Sequence, residues 1–443
     1  MRVVIVGAGK VGFSVAKYLV EEDHDVIVIE EDETRREIIQ NNLDVMTIEG
    51  NGASPRVLTN PDVKKADLMI AVTDSDEVNM VVCMVAKQAG IRQTLARVRN
   101  MDYIGKEEAE FHASIGIDIT INPEYVTAVE ISKILNIPAA MDVEDFANGK
   151  VRLLEVRIRP DCDIIDIPIT ELDFGYNVLI AGILRLGKMI IPHGYDELKP
   201  YDNVFFVGAP EDIKEVANRF RDTLTPVKRV VIIGAGRVGR NLANILEQQG
   251  MSVKVIDKNS DRCHLVAKSL KKGTVYCGEG TDMDLLLDEG VGEADAVVCL
   301  TDDDKLNLLL ALLAKEIGAQ KTIVRVGKTE YIPLMEKVGV DVVLSPRTLT
   351  ASVILSYVKK NKFVSVSLLE GDKAQAIEVI VSSKSKIIGK KLKNANLPRN
   401  CLVGAVVHND HVYVPNGESI LQEGDRIVVF ALPDIISKVE KFF

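Results

Sequence analysis

The chain has 443 residues, of which 47% are hydrophobic and 27% charged, and its formal net charge is −11 at neutral pH. That length is ample for about three or four separate cores, and the balance excludes a disordered chain. A general nucleic-acid binder needs a basic stripe to neutralise phosphates, so the acidic excess argues against one. Six cysteines (Cys83, Cys162, Cys263, Cys277, Cys299, Cys401) are scattered without a C-x-x-C pair, and the chain opens directly on a strand pattern rather than a signal peptide. Both features read as reducing cytoplasm. The apolar run around Leu306 to Ala314 is far shorter than the roughly 20 residues a bilayer span requires, so any membrane connection is expected to run through a partner.

The first predicted strand, Val3 to Val6, enters Gly7-Ala8-Gly9-Lys10-Val11-Gly12, and a helix follows over Phe13 to Glu22 with Val15, Leu19 and Val20 on one face. A β-branched run entering G-x-G-x-x-G and leaving into a helix is the dinucleotide-binding fingerprint. The first glycine allows the turn, the second lets backbone approach a pyrophosphate, and the third lets helix and strand pack closely. Phosphates then sit on free N–H groups at the helix N-terminus. A second strand, Asp25 to Glu30, ends in an acid suited to a ribose hydroxyl pair and repulsive to a 2′-phosphate, which favours NAD or an adenine nucleotide over NADP.

A helix over 33–41, a strand over 45–49 and the turn Gly50-Asn51-Gly52 come next, then a short helix over 55–58 and a buried strand over 67–72 ending in Thr73-Asp74-Ser75-Asp76. Thr73 and Asp74 fall where the ribose or nicotinamide side of a nucleotide lies, or they form an N-cap cluster for the helix running to Gln88. The strand over 93–98 carries Arg97 at its carboxyl end, where it could pair a phosphate or simply Asp74. A strand over 117–121 and a helix over 124–135 are expected to close the unit. The alternation predicts a parallel Rossmann-type sheet. From Val151 the pattern changes to short strands (153–158, 177–185, 188–192, 204–207), a small α+β module, with Thr225-Pro226 as its linker to the next unit.

The whole plan then repeats. Val230 to Ile233 enters Gly234-Ala235-Gly236-Arg237-Val238-Gly239. Asp257 matches Glu30, Gly278-Glu279-Gly280 matches Gly50-Asn51-Gly52, Thr301-Asp302 matches Thr73-Asp74, Asn307 matches Asn79, and Arg325 matches Arg97. A second small module begins at about Phe363, with Glu378 for Glu155 and Asp425 for Asp202. The expected fold class is therefore α/β: two doubly wound parallel sheets, each followed by a small α+β module. The expected domains are residues 1–122, 140–223, 227–347 and 363–443.

A tandem of G-x-G-x-x-G units, each with T-D after the fourth strand, an A-R-V or V-R-V strand and then a small module, resembles the regulatory subunits of Trk-type potassium uptake, built from two pairs of RCK (also called KTN) N- and C-terminal domains. The resemblance covers essentially the entire chain. It implies a regulator that is not an enzyme, binds NAD(H) or ATP/ADP, and docks from the cytoplasm on an integral-membrane potassium-translocating subunit. It also implies a homo-oligomeric ring, expected to be a tetramer. Its nucleotide positions fall on Gly7, Ala8, Gly9, Lys10, Val11, Glu30, Thr73, Asp74 and Arg97, and again on Gly234, Ala235, Gly236, Arg237, Val238, Asp257, Thr301, Asp302 and Arg325. Gly12 and Gly239 complete the fingerprints. Lys10 against Arg237 and Glu30 against Asp257 allow the two sites different nucleotide preferences.

The rival from another class is an NAD-dependent oxidoreductase, which needs an acid/base near the hydride-receiving carbon. The six histidines show no repeated placement; His193 beside Pro192 has Asn416 as its counterpart after Pro415. His408-Asn409-Asp410-His411 invites a metal, but Asn-Asp in a tight hairpin turn is the simpler reading. Asp302-Asp303-Asp304 could take a divalent cation, with a solvated helix N-terminus favoured. A redox-sensing repressor would need a helix-turn-helix and a basic face, and neither is evident.

Overall fold

In a computed structural model of the chain, every residue is described except 101, 102, 104, 105, 138, 221–226, 360–363, 371, 372, 384, 441 and 443. The expected linker Thr225-Pro226 and the expected module start at Phe363 lie outside the described residues.

Six parallel strands form the first sheet: β1 (Arg2–Val6), β2 (Asp25–Glu30), β3 (Met46–Glu49), β4 (Leu68–Ala71), β5 (Gln93–Arg97) and β6 (Ile119–Ile121). Their order is β3-β2-β1-β4-β5-β6. Near-continuous apolar runs suit these strands because helices cover both faces of a parallel sheet. The alternation of side chains divides them cleanly. Val3, Ile5, Val26, Val28 and Ile70 pack in one cluster, while Val4, Val6, Ile27, Ile29 and Met69 pack in another on the opposite face. The strand order reverses between β1 and β4, and that reversal opens a crevice beyond their carboxyl ends.

The first small module is an antiparallel sheet of β7 (Asp142–Phe146), β8 (Val151–Arg157), β9 (Val178–Arg185), β10 (Lys188–Ile190) and β11 (Asn203–Gly208), in the order β10-β9-β11-β8-β7. Sequence patterning missed β7, because the acids Asp142, Glu144 and Asp145 mask the inward pair Val143 and Phe146. The turn into β8 uses left-handed Ala147 and Asn148.

The second half copies the first. Parallel strands β12 (Arg229–Ile233), β13 (Ser252–Asp257), β14 (Thr274–Cys277), β15 (Ala296–Cys299), β16 (Thr322–Arg325) and β17 (Val342–Leu344) again take the order 3-2-1-4-5-6. The second module holds β18 (Ser365–Leu369), β19 (Ala374–Ile380), β20 (Cys401–His408), β21 (His411–Tyr413) and β22 (Arg426–Ala431).

One expectation is corrected. The helix Pro123–Asn136 does not close the first unit; it crosses to the second. Ala128, Ile131, Ile134 and Leu135 join the core of Val230, Ile232, Leu242 and Leu246. Reciprocally, Ala351, Ile354, Leu355 and Val358 of the helix Pro346–Lys359 join the core of Val3, Ile5, Val15 and Leu19. The two crossing helices also pack on each other. Each buries apolar side chains on more than one face, so it has more surface to cover than its own sheet offers. The small modules meet as well, through Phe205 and Val207 from one and Ala405, Val407 and Phe430 from the other. The chain is thus a pseudo-symmetric pair folded into one body.

Candidate functional site

At each glycine loop the helix begins without a side-chain cap. Gly9 is the N-cap of the helix Lys10–Glu21, and Gly236 that of Arg237–Gln248, and neither start has a side-chain hydrogen bond. First-turn N–H groups are therefore left for an anion. A Cβ on Gly9 or Gly236 would project into open space, which is where a pyrophosphate would approach backbone. A Cβ on Gly12 would lie 1.9 Å from the Gly7 carbonyl oxygen, and one on Gly239 2.0 Å from that of Gly234. Helix and loop touch too closely there for any side chain.

The acids ending β2 and β13 hold these loops. Glu30 Oε2 accepts the Ala8 N–H at 2.6 Å and Oε1 accepts that of Asp32 at 3.0 Å. Asp257 does the same with Ala235 at 2.6 Å and Asn259 at 2.8 Å. Both carboxylates are buried. An ionised carboxylate has roughly four acceptor positions, so two bonds leave capacity for a ribose hydroxyl pair.

Beyond β4 lies a clamp that sequence patterning noticed as a repeat but gave no role. Asn79 is fully buried. Its Oδ1 accepts from the Thr73 amide (2.8 Å) and hydroxyl (2.7 Å), while its Nδ2 donates to the carbonyls of Thr73 (3.2 Å) and Arg97 (2.9 Å). Asn307 repeats the pattern with Thr301 and Arg325. The true N-cap of the helix Asp76–Gln88 is Ser75, so Thr73 and Asp74 sit just ahead of the cap.

Asp74 lies between two arginines, 3.6 Å from Arg97 and 4.0 Å from Arg35. Asp302 lies between Arg325 (3.3 Å) and Arg262 (3.9 Å). Arg35 and Arg262 were missed, though the same residue type five positions beyond each acid was a readable signal. Burial first, then the adjacent Arg99 charge, push the Arg97 guanidinium below its usual range. Its Nε is buried without a hydrogen-bond partner among the described residues. An anion would answer both deficits.

The crevice of the first half is a cavity of about 930 Å³. It brings together Gly7, Ala8, Gly9, Lys10, Val11, Glu30, Thr73, Asp74 and Arg97, with Arg35 beside them. Its far wall belongs to the second half: Val238, Arg325, Val326, Gly327, Pro346, Arg347 and Thr350. Arg347 and its counterpart Glu124 begin the two crossing helices, another pair the sequence reading passed over. Gly12 lies behind the loop, and Gly234, Ala235, Gly236, Gly239, Asp257, Thr301 and Asp302 lie at the carboxyl-end edge of the second sheet and do not line this cavity. Arg237 faces a smaller cleft of about 340 Å³ opposite Asp74, Ser75, Asp76, Glu77 and Arg99. The two halves therefore line one another's openings.

The rival sites resolve into structural roles. Asn409 and Asp410 take left-handed conformations in the β20–β21 turn, and His408 Nδ1 lies 2.5 Å from Asp425, as Arg185 pairs with Asp202 in the first module. Asp303 caps the helix Asp304–Glu316, and Asp304 accepts the amides of Gly327 and Lys328. His193 is exposed in a turn with Asp196.

The TrkA-N domain family matches residues 3–123 and 230–346, and the TrkA-C domain family matches residues 153–221 and 376–443. The chain belongs to the TrkA family. Among its relatives, "Trk system potassium uptake protein TrkA homolog 2" of Methanosarcina mazei is 40% identical over the full length of both chains. The homologue of Archaeoglobus fulgidus is 36% identical, again over all of both. The Vibrio alginolyticus TrkA is 31% identical across all of this chain and 98% of its own. These relatives are named for potassium uptake and none for a catalysed reaction. The fold is also that of the GsuK channel bound to NAD, with a TM-score of 0.64 at 17% identity over all of this chain and 78% of that one. The GsuK RCK domain gives 0.64 at 16% identity, covering 94% of that chain. This chain thus pairs two Rossmann units of the TrkA-N family with two small modules of the TrkA-C family. No helix among the described residues is long and apolar enough to cross a membrane.

Proposed function

We propose that this chain is the nucleotide-sensing regulatory subunit of a Trk-type potassium uptake system. It would act from the cytoplasmic face on an integral-membrane potassium-translocating partner, and assemble as a homo-oligomeric ring, a tetramer. Relatives named for Trk potassium uptake over their full length support the transport role. The observation that carries nucleotide sensing is the cavity of about 930 Å³ at the first glycine loop, walled by both halves.

A ligand shifts a conformational equilibrium only through differential affinity for its two states. The adenosine ribose would meet Glu30, and the pyrophosphate the uncapped N-terminus of the helix Lys10–Glu21. What extends further, a nicotinamide or a third phosphate, would reach Thr73, Arg97 and the opposing Arg325 and Arg347. Asp74 pairs with Arg35 and Arg97, the two guanidiniums an incoming anion would compete for. Phosphate oxygens would release it. Ligands that reach the second half differently would set the two halves at different angles, and the crossing helices would carry that change to the small modules.

The test is calorimetric titration of the full chain with NADH, NAD, ATP and ADP, beside Glu30→Ala and Asp257→Ala. Each variant should lose one site, and no added metabolite should oxidise NADH. Absence of binding by all four nucleotides, or steady NADH turnover, would overturn the reading.

A further inference from the structure

The two halves share one plan around their crevices, and one of the differences between them is informative. In the first half, Arg36 on the helix Glu33–Asn42 forms a 2.9 Å ion pair with Glu49, the last residue of β3. Glu49 lies opposite Glu30 in the strand register, and Cys277 lies opposite Asp257. Cys263 stands in the second half where Arg36 stands in the first, four residues beyond the helix N-caps Asn259 and Asp32 respectively. A cross-element ion pair has thus become a pair of thiols.

Their placement suits chemistry with each other. Cys263 is buried and Cys277 exposed. Cys277 lies beside Asp257 in the strand register, and the Cys263 thiol lies against the carbonyls of Asp257 and Tyr276 at the same two strand ends. Cys263 Sγ lies 3.2 Å from the Asp257 carbonyl and 3.7 Å from that of Tyr276, and Cys277 Sγ lies 3.8 Å from the Lys258 carbonyl. Both thiols therefore border the acid that holds the second glycine loop. Burial, then the adjacent Cys277, push the Cys263 thiol up to about 11, so the exposed partner is the one a solvent-borne oxidant meets first.

We propose that Cys263 and Cys277 are a reversible disulfide site, set against the ribose edge of the second crevice and absent from the first. With a peroxide as oxidant, the Cys277 sulfur attacks one peroxide oxygen, giving a sulfenic acid and one water. Cys263 then attacks that sulfur, and its proton leaves with the hydroxyl as a second water. Two thiols lose two electrons and the peroxide gains them. A thiol-bearing reductant reverses the bond by exchange. The link ties the helix Ser260–Ser269 to the end of β14. Asn259, whose amide bonds Asp257, lies directly before that helix. The disulfide does not depend on nucleotide binding; only its bearing on ligand affinity rests on the function proposed above.

The test treats the reduced full chain with one equivalent of hydrogen peroxide, then alkylation, intact mass and peptide mapping. The expected product has lost two hydrogens, joins the Cys263 and Cys277 peptides, and returns to the starting mass with dithiothreitol. Cys277→Ser should form no link and leave Cys263 alkylatable. Amide exchange at Asn259 to Cys263 should slow at least severalfold in the oxidised chain. Joined peptides involving other cysteines, or Cys277 oxidised to sulfinic acid with Cys263 free, would overturn the site. Unchanged amide exchange across a formed link would overturn its bearing on the crevice. Either result stands whether or not nucleotides bind.

Discussion

Asn79 holds four hydrogen bonds with one fully buried amide, and that is why Thr73 and Arg97 meet at the mouth of the crevice. Removing it takes the partner from the Thr73 N–H and from the Thr73 and Arg97 carbonyls, and each group left unpaired away from water costs about 1–3 kcal/mol. Asn79→Ala is expected to lower stability by about 3 kcal/mol, seen as a lower urea midpoint at constant slope. Lys10→Ala, at an exposed position, should leave that midpoint within about 0.5 kcal/mol. Much of the site was legible at this scale. The glycines, Glu30, Thr73, Asp74 and Arg97 could be read because each has a fixed place after a strand. The clamp could not, since a lone Asn within a helix pattern carries no sign of which carbonyls it reaches. Nor could the opposing Arg325 and Arg347 wall, because the approach of two halves is not written in either one's spacing.

Between elements, the decisive packing is reciprocal. Leu135 is fully buried among residues of the second Rossmann unit, although it lies in the helix that leaves the first. Leu135→Ala should cost about 2–5 kcal/mol through lost burial and the cavity left behind. The loss should appear as faster amide exchange in β12 and β15, with β1 and β4 changing less. The reverse distribution would show that the helix belongs to its own unit. Strand and helix alternation gave the sheets because their periods differ and the apolar runs are long. It placed the crossing helix in the wrong unit because a helix apolar on several faces fits either neighbour. β7 escaped for the opposite reason, its two inward residues being outnumbered by three acids.

At the scale of the molecule, one of those acids, Glu144, joins the halves. Glu144 on β7 lies 3.9 Å from Lys133 of the crossing helix, and Ser367 of the second module donates to it at 3.0 Å. Burial pushes its carboxyl up to about 7 from an ordinary 4.5, with neighbouring Asp142 adding to the shift and Lys133 opposing it. A carboxyl raised in the folded state makes folding bind a proton. Its stabilising contribution is whole below about 4.5 and is lost as pH rises through about 7, because the unfolded chain there holds fewer protons. Stability should therefore rise as pH is lowered from 8 to 6, and Glu144→Gln should flatten that part of the curve, as read from urea midpoints. A structure whose halves exchange helices and wall one cavity together is suited to turning ligand binding into a change of angle. The most direct measurement is potassium flux through a Trk-type membrane subunit in vesicles, with the full chain added alone, with ATP, ADP or NADH, and as the double variant Glu30→Ala, Asp257→Ala. Flux should depend on the chain and differ among nucleotides, and the double variant should respond equally to all of them. Flux indifferent to the chain, or a double variant that still discriminates nucleotides, would contradict the account.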